Sequence, residues 1–530
     1  MNVRTRRIAW LPWKLIAELE SGTRPRAAIG RRLSLIAVIA SLATSFVLLL
    51  QYRDLGGPGD QLHYYEQAAQ LLPFSDAAYG PMYYATIRVV HDVLLLDWFL
   101  VGKLVSWTSA AAFLALSYVM FGRLLGPEDR WLALALVAIN PIFIGQSYSA
   151  LTIMFGAVLL VAAIVLTVQA PPGRPLPWLL AGLVFGFACL TRFQSWGLLG
   201  GAILGALLLP TTRAAVRVRC ASLLLAGALS LVLLWNGLLL WTQGYIPRNR
   251  NFLHLALAFG QFHSWWDLSE LEKYGSMSGV LTSFWWAPIQ IAIFAGKQLI
   301  KFPFALGYYL LFIAAGWLVP GAVVAVARRE THAPWLVAFA IGLFLTGIGS
   351  MDWLHYYVVF LPFLAILIVY AIRGLSQAVS PAVAVMSWLI IFGSTAVWSP
   401  AIVWSQFLDT NWPEFRAARQ HMEAERDAHT IVSAAAGSFP HGTTLQFVRL
   451  NKIIGRGESN QLVSRLRQRH VTHLVVERHS HYWFPELEYL LDDSPANVPA
   501  GLQRELLIAK PQRLAIYRVL QADAGSVASR

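Results

Sequence analysis

Between residues 51 and 96 the sequence gathers the side chains best suited to chemistry: Asp54, Asp60, His63, Tyr64 and Tyr65, then Tyr83 and Arg88. The densest part reads Gly59-Asp60-Gln61-Leu62-His63-Tyr64-Tyr65, and Gly80-Pro81-Met82-Tyr83-Tyr84 follows it. Apolar runs at 33–50 and 98–121 flank the segment, so it lies where water meets a low-dielectric wall. A carboxylate in such a place has a displaced pKa and stands in a strong local field. Asp60 is the central candidate. It also stands where an aspartate would cap a helix beginning near Leu62, and the two readings are compatible.

The elements that must position this loop are helices built for lipid. Of 530 residues 57% are hydrophobic and 13% are Asp, Glu, Lys or Arg, against about 25% charged in an ordinary soluble domain. Apolar runs of bilayer length recur, separated by short basic or Gly/Pro-rich turns, which reads as a polytopic α-helical membrane protein. The 21 Trp, 18 Tyr and 28 Phe fit that class, since aromatic rings collect at headgroup depth. The formal net charge of +13 does not call for nucleic acid. Arg4, Arg6, Arg7, Lys14, Arg24, Arg26, Arg31 and Arg32 crowd the N-terminal segment, as expected of a cytoplasmic flank touching anionic membrane lipids. That basic segment is too long to open a cleaved signal peptide. No disulfide is expected between Cys189 and Cys220, and no Cys/His spacing matches a metal motif.

Eleven spans are expected: about 33–50, 98–121, 131–147, 150–168, two short helices within 178–209, then 223–241, 304–327, 335–348, 358–372 and 382–403. Asn140-Pro141 should bend or break the third, and Pro362 falls inside the tenth. The block 178–209 is too long for one crossing, so Leu190-Thr191-Arg192 reads as a turn between two short helices. With a cytoplasmic N-terminus, eleven spans leave the C-terminal region outside. Loops 51–96 and 242–302 then face outward. The first holds interfacial helices in which Tyr84, Ile87 and Val90 recur at helical spacing. Beyond the last span charge rises: 415–427 and 459–469 read as helices, 470–477 and 513–519 as strands, giving a small α/β domain. The chain thus divides into a basic segment 1–32, a membrane module 33–403 and a soluble outer domain 404–530.

This topology places Asp54, Asp60, His63, Arg88, Arg192, Arg248, Asp267, Glu270, Lys297, Asp352 and His355 at one surface. Channels and transporters put their polar groups inside the spans, whereas these spans are nearly uncharged. Such a distribution suits an enzyme whose amphiphilic substrate keeps its tail in lipid and its head in a wet pocket. A lipid-linked carrier or flippase and a non-enzymatic envelope scaffold are the alternatives. Arg192 itself has two readings, snorkelling to headgroups or binding a phosphate or carboxylate.

As an ordered set these motifs resemble the GT-C superfamily of membrane glycosyltransferases, nearest the bacterial protein O-mannosyltransferases and lipid A aminoarabinose transferases. The family's Asp-Glu-x-x-Tyr-Tyr corresponds to Asp60-Gln61-Leu62-His63-Tyr64-Tyr65, and its Pro-Pro-x-Tyr-Tyr to Gly80-Pro81-Met82-Tyr83-Tyr84. Its Leu-Thr-Arg/Lys turn is matched by Leu190-Thr191-Arg192, and a later Arg-Tyr motif by His355-Tyr356-Tyr357 through Pro362-Phe363. The likeness covers about residues 30–375. It implies a GT-C-like fold and transfer of a sugar from a polyprenyl-phosphate donor to an acceptor hydroxyl on a glycan, lipid or protein, with inversion. Asp60 would be the general base. Arg192, with Arg88, Arg248 or Lys297, would offset the lipid phosphate. His63 and Tyr64 would line the sugar pocket, and Asp54, Tyr65, Tyr83, Asp267, Asp352, His355 and Tyr356 are further substrate-binding candidates. Gln61 stands where the family has a second acid, which weakens the case for a divalent metal, and His355 stands where it has Arg. The implied location is a bacterial inner or plasma membrane.

Overall fold

A computed structural model of the chain describes residues 23–55, 65, 68, 81–125, 129–192, 195–209, 213–244, 315–327, 333–348, 358–410, 413–427, 429–435, 445–455, 458–477, 480, 484–493, 498–509 and 513–520. The helices are α1 (Thr23–Gln51), α2 (Pro81–Leu94), α3 (Trp98–Leu124), α4 (Arg130–Ala138), α5 (Pro141–Ser147), α6 (Thr152–Gln169), α7 (Pro175–Cys189), α8 (Ser195–Leu207) and α9 (Ala214–Gln243). After residue 314 come α10 (Leu318–Ala327), α11 (Ala333–Ile348), α12 (Leu361–Ala378), α13 (Pro381–Thr410) and α14 (Glu414–Ala424).

Among the described residues six helices are long and apolar enough to cross a bilayer, or seven if α4 and α5 count as one broken span. The described residues thus account for part of the expected eleven. Each of the eleven stretches contains a described helix; α7 and α8 have only 15 and 13 residues, while α10 and α11, bordered by residues outside the description, are described over 10 and 16. A crossing needs about 20 residues. α4 and α5 meet at 61° because Asn140 leaves the helix and caps the next one, its Oδ1 accepting from Ile142 N at 2.9 Å, with Pro141 in the first turn. Pro362 lies inside the crossing 358–378 as expected, in the first turn of α12, where a missing N–H costs nothing.

Local contacts separate two ends of the helical body. At one, Arg31 lies 5.8 Å over the Trp131 ring and Arg130 lies 4.6 Å over Tyr118. There Tyr370 Oη also donates to Leu124 O at 2.9 Å, and Arg373 pairs with Asp129. At the other, Leu49 packs with Tyr148, and Tyr52 joins them. Glycines bring helices together in between. A Cβ on Gly186 of α7 would come within 2.8 Å of Ala228 O in α9, an approach only a small residue permits.

The tail is the small α/β unit expected. Five strands, β1 (Ile431–Ala434), β2 (Gln446–Arg449), β3 (His473–Glu477), β4 (Leu502–Ile508) and β5 (Leu514–Val519), form a mixed sheet in the order β2-β1-β3-β5-β4. β1 pairs in parallel with β2 and β3, while β5 pairs antiparallel with β3 and β4. Phe415, Ala418 and Met422 give α14 one apolar face, packed on Val432, Ala434, Val475, Leu514 and Ile516. Leu55, just past the first span, is buried in that same core. Cys189 and Cys220 are free thiols.

Candidate functional site

Residues 150–156, where α5 hands over to α6, collect several of the side chains singled out from sequence. Arg192 sits in the turn between α7 and α8. That turn is tied by backbone and hydroxyl bonds: Arg192 N and Ser195 Oγ both donate to Ala188 O, at 2.8 and 3.0 Å, and Thr191 Oγ1 donates to Phe187 O at 2.8 Å. So held, Arg192 is 9% exposed, and its Nη1 donates to Thr152 Oγ1 at 2.6 Å. Its aliphatic stem lies against Gly156, where a Cβ would meet Arg192 Cδ at 3.2 Å.

The segment between α1 and α3 reaches the same place from the other side. Tyr83 and Tyr84 of α2 are fully buried with Ile87, and the Tyr83 ring lies 5.9 Å from Phe155. Burial pushes the Tyr83 phenol up, countered in part by a hydrogen bond with Ser106. Ser106 Oγ in turn donates to Leu151 O at 3.2 Å. Tyr65 stands edge-on to Phe99, ring centroids 4.7 Å apart, with its hydroxyl 3.5 Å from Ala150 O. Tyr65, Tyr83 and Arg192 are therefore brought together around the first turn of α6. Arg88 is not. Its Nε pairs with Asp92 one turn along α2 at 2.6 Å, and Nη1 reaches Ala68 O at 3.4 Å.

Asp54 is committed elsewhere. Its carboxylate takes Arg416 Nε at 3.1 Å and Arg416 Nη2, with Arg419 Nη2 at 3.7 Å, all from α14. Burial pushes its pKa up, but the Arg416 hydrogen bond and the charges of Arg416 and Arg419 outweigh that and hold the carboxyl below its ordinary value. On the far side of this strip Lys103 of α3, 0% exposed, donates from Nζ to Tyr52 O at 2.7 Å. Residues 52–55 are thus held between the membrane helices and the C-terminal α/β unit, a few positions before Asp60.

Sequence reasoning missed Lys103, Thr152, Arg416 and Arg419. Lys103 carried a signal, as a charge one turn into an apolar span; Arg416 and Arg419 carried none, being 362 and 365 positions from Asp54. Asp60, His63, Tyr64, Arg248, Asp267, Lys297, Asp352, His355 and Tyr356 lie outside the described residues. The sequence leaves room for a metal near Asp60, whereas the group of His and Glu side chains close enough to hold one, among the described residues, is His421, Glu425 and Glu505 in the tail.

No family model matches the chain, and no curated relative matches it by sequence. Solved structures match it in fold. ArnT from Cupriavidus metallidurans in the apo state does so with a TM-score of 0.54 at 14% identity, over 91% of this chain and 97% of its own. The chain shares that fold. The Archaeoglobus fulgidus oligosaccharyltransferase AglB, in complex with an inhibitory peptide and a dolichol-phosphate, matches with a TM-score of 0.54 at 12% identity, over 84% of this chain and 69% of its own. The same ArnT bound to undecaprenyl phosphate matches with a TM-score of 0.50 at 14% identity, over 91% and 97%.

Proposed function

We propose that this GT-C chain is a membrane glycosyltransferase that moves a sugar from a polyprenyl-phosphate donor to an acceptor hydroxyl at the extracytoplasmic face. The observation that carries this reading is the meeting of Arg192 with the first turn of α6 beneath Tyr83. A guanidinium and a helix N-terminus are each positive, and their convergence in a buried place favours an anion. Arrangement of the fold like that of proteins solved with dolichol-phosphate and undecaprenyl phosphate supports a lipid phosphate as that anion.

In the proposed reaction Asp60 takes the acceptor proton as the hydroxyl attacks the anomeric carbon. The lipid phosphate leaves with the bonding pair, and Arg192 offsets its charge. Arg248 and Lys297 are further cations for this role, and His63, Tyr64, Tyr65, Tyr83, Asp267, Asp352, His355 and Tyr356 are proposed to shape the sugar and acceptor sites. Asp54 is reassigned from substrate contact to anchoring the loop that bears Asp60, because Arg416 and Arg419 occupy its carboxylate. Gln61 brings no charge to a cation at this loop, so the step is written through Asp60 alone. The proposed topology keeps eleven crossings, with 33–403 as the membrane module, the N-terminus cytoplasmic and 404–530 outside.

The test is Asp60→Asn in purified protein with an undecaprenyl-phosphate-linked sugar. Transfer should fall at least about 100-fold, with expression and membrane insertion unchanged. Turnover within a few-fold of the parent would remove Asp60 from the mechanism.

A further inference from the structure

The soluble domain holds a second set of polar groups that sugar transfer does not use. Where the apolar face of α14 ends, His421 and Glu425 approach His473, the first residue of β3, and Glu505 of β4. Glu505 is the extra residue of a β-bulge between Arg504 and Leu506, a device that re-aims a side chain. His473 Nε2 lies 3.4 Å from Glu505 Oε2, and His421 Nε2 lies 3.9 Å from that same oxygen and 3.8 Å from Glu425 Oε1. His473 is 5% exposed, and the Nε2 atoms of both histidines and Oε2 of Glu505 are buried without a hydrogen bond.

The surrounding contacts orient these atoms toward one point. Arg518 pairs across the sheet with His473. It donates to Glu505 Oε1 and, at 2.9 Å, to Glu425 Oε2. That leaves Glu505 Oε2 and Glu425 Oε1 facing the imidazoles, and two carboxylates against one guanidinium leave a net negative charge. On the other side of His473, Thr472 Oγ1 donates its hydrogen to Ile431 O at 3.0 Å and accepts from Ile431 N at 3.0 Å. Its remaining contact, 2.9 Å to His473 Nδ1, is then one in which Nδ1 carries the hydrogen. In the neutral ring Nε2 then presents a lone pair to a carboxylate oxygen, a buried repulsion that a cation between them relieves.

We propose that His421, His473, Glu425 and Glu505 form a divalent-cation site, for which zinc is the best fit. Two imidazoles and two carboxylates are a donor set zinc accepts, and zinc–ligand bonds of about 2.0–2.1 Å place tetrahedral donors roughly 3.3–3.5 Å apart. Donor atoms of His421, Glu425 and Glu505 lie within 4.8 Å of one another and His473 Nε2 stands 3.4 Å from Glu505, so the four close in around the ion when it binds. Four protein donors leave no open position, so the ion is structural. It staples α14 to the sheet, and α14 is the helix whose Arg416 and Arg419 hold Asp54. This proposal does not depend on the sugar-transfer reading.

The experiment uses full-length protein in detergent, stripped with a chelator, dialysed against zinc chloride and assayed for bound metal. One zinc per chain more than in the His421→Ala/Glu505→Gln variant is expected, and zinc-edge X-ray absorption should show two imidazole donors. Thr472→Val should weaken zinc binding about 10–100-fold by releasing the His473 ring. Glu425→Gln, at a half-exposed position outside the core, should weaken it while the protein stays monodisperse on size exclusion, which separates lost ligation from misfolding. Equal zinc in parent and variants, or a spectrum without imidazole, overturns the site.

Discussion

The two ends of the helical body handle charge differently. At the Arg31 end, Arg373 and Asp129 pair while partly open to water, with side chains 33% and 21% exposed, and the arginines lie over Trp131, Tyr118 and Tyr370. Such pairs stitch a turn and are worth little on their own. At the opposite end Lys103 and Arg192 are buried cations, 0% and 9% exposed. Burying a cation is expensive unless the surroundings or a ligand compensate. The contrast teaches that the second end is shaped for something other than stability.

Three substitutions sharpen that contrast. Arg192→Ala should have the largest effect, lowering kcat/KM for the lipid-linked donor about 100–1000-fold, with thermal unfolding nearly unchanged; donor kinetics equal to the parent's would return Arg192 to a structural role. Asp54→Asn should come next, costing about 0.5–1 kcal/mol once its exposure is discounted, and slowing transfer about tenfold through misplacement of the Asp60 loop. Its pH dependence has a definite sign. A carboxyl whose folded pKa is depressed contributes stability that is present above its unfolded value, about 3.9, and lost as pH falls through the folded one. Unfolding followed from pH 7 to pH 3 should therefore show the parent losing stability over the variant's curve only in the acid range. Arg373→Ala at the other end should do least, under about 1 kcal/mol in stability, with the transfer rate retained; a large loss of activity there would erase the distinction between the ends.

Local signals made much of this legible before any coordinates. Asn140-Pro141 announced its break because a capping side chain and a missing N–H act within one turn, and Leu190-Thr191-Arg192 announced a turn because a charge interrupted an apolar block too long for one crossing. The strands at 473–477 and 514–519 showed their alternation and short apolar runs. Span number was less legible, since helices of 13 and 15 residues have the composition of a crossing without its length. The ties of Asp54 to Arg416 and of His421 to Glu505 were invisible, because they join residues that only the fold makes neighbours.

Leu55 adds a constraint in time. Its seat is a core assembled from Phe415, Val432, Val475 and Ile516, none of which has been synthesised when the first span enters the membrane. At roughly 5–20 residues per second, the ribosome leaves that leucine without its seat for tens of seconds. Residues 52–55 are anchored only when translation is nearly done, so a nascent chain stalled before its tail would carry its membrane helices and still leave this strip unseated.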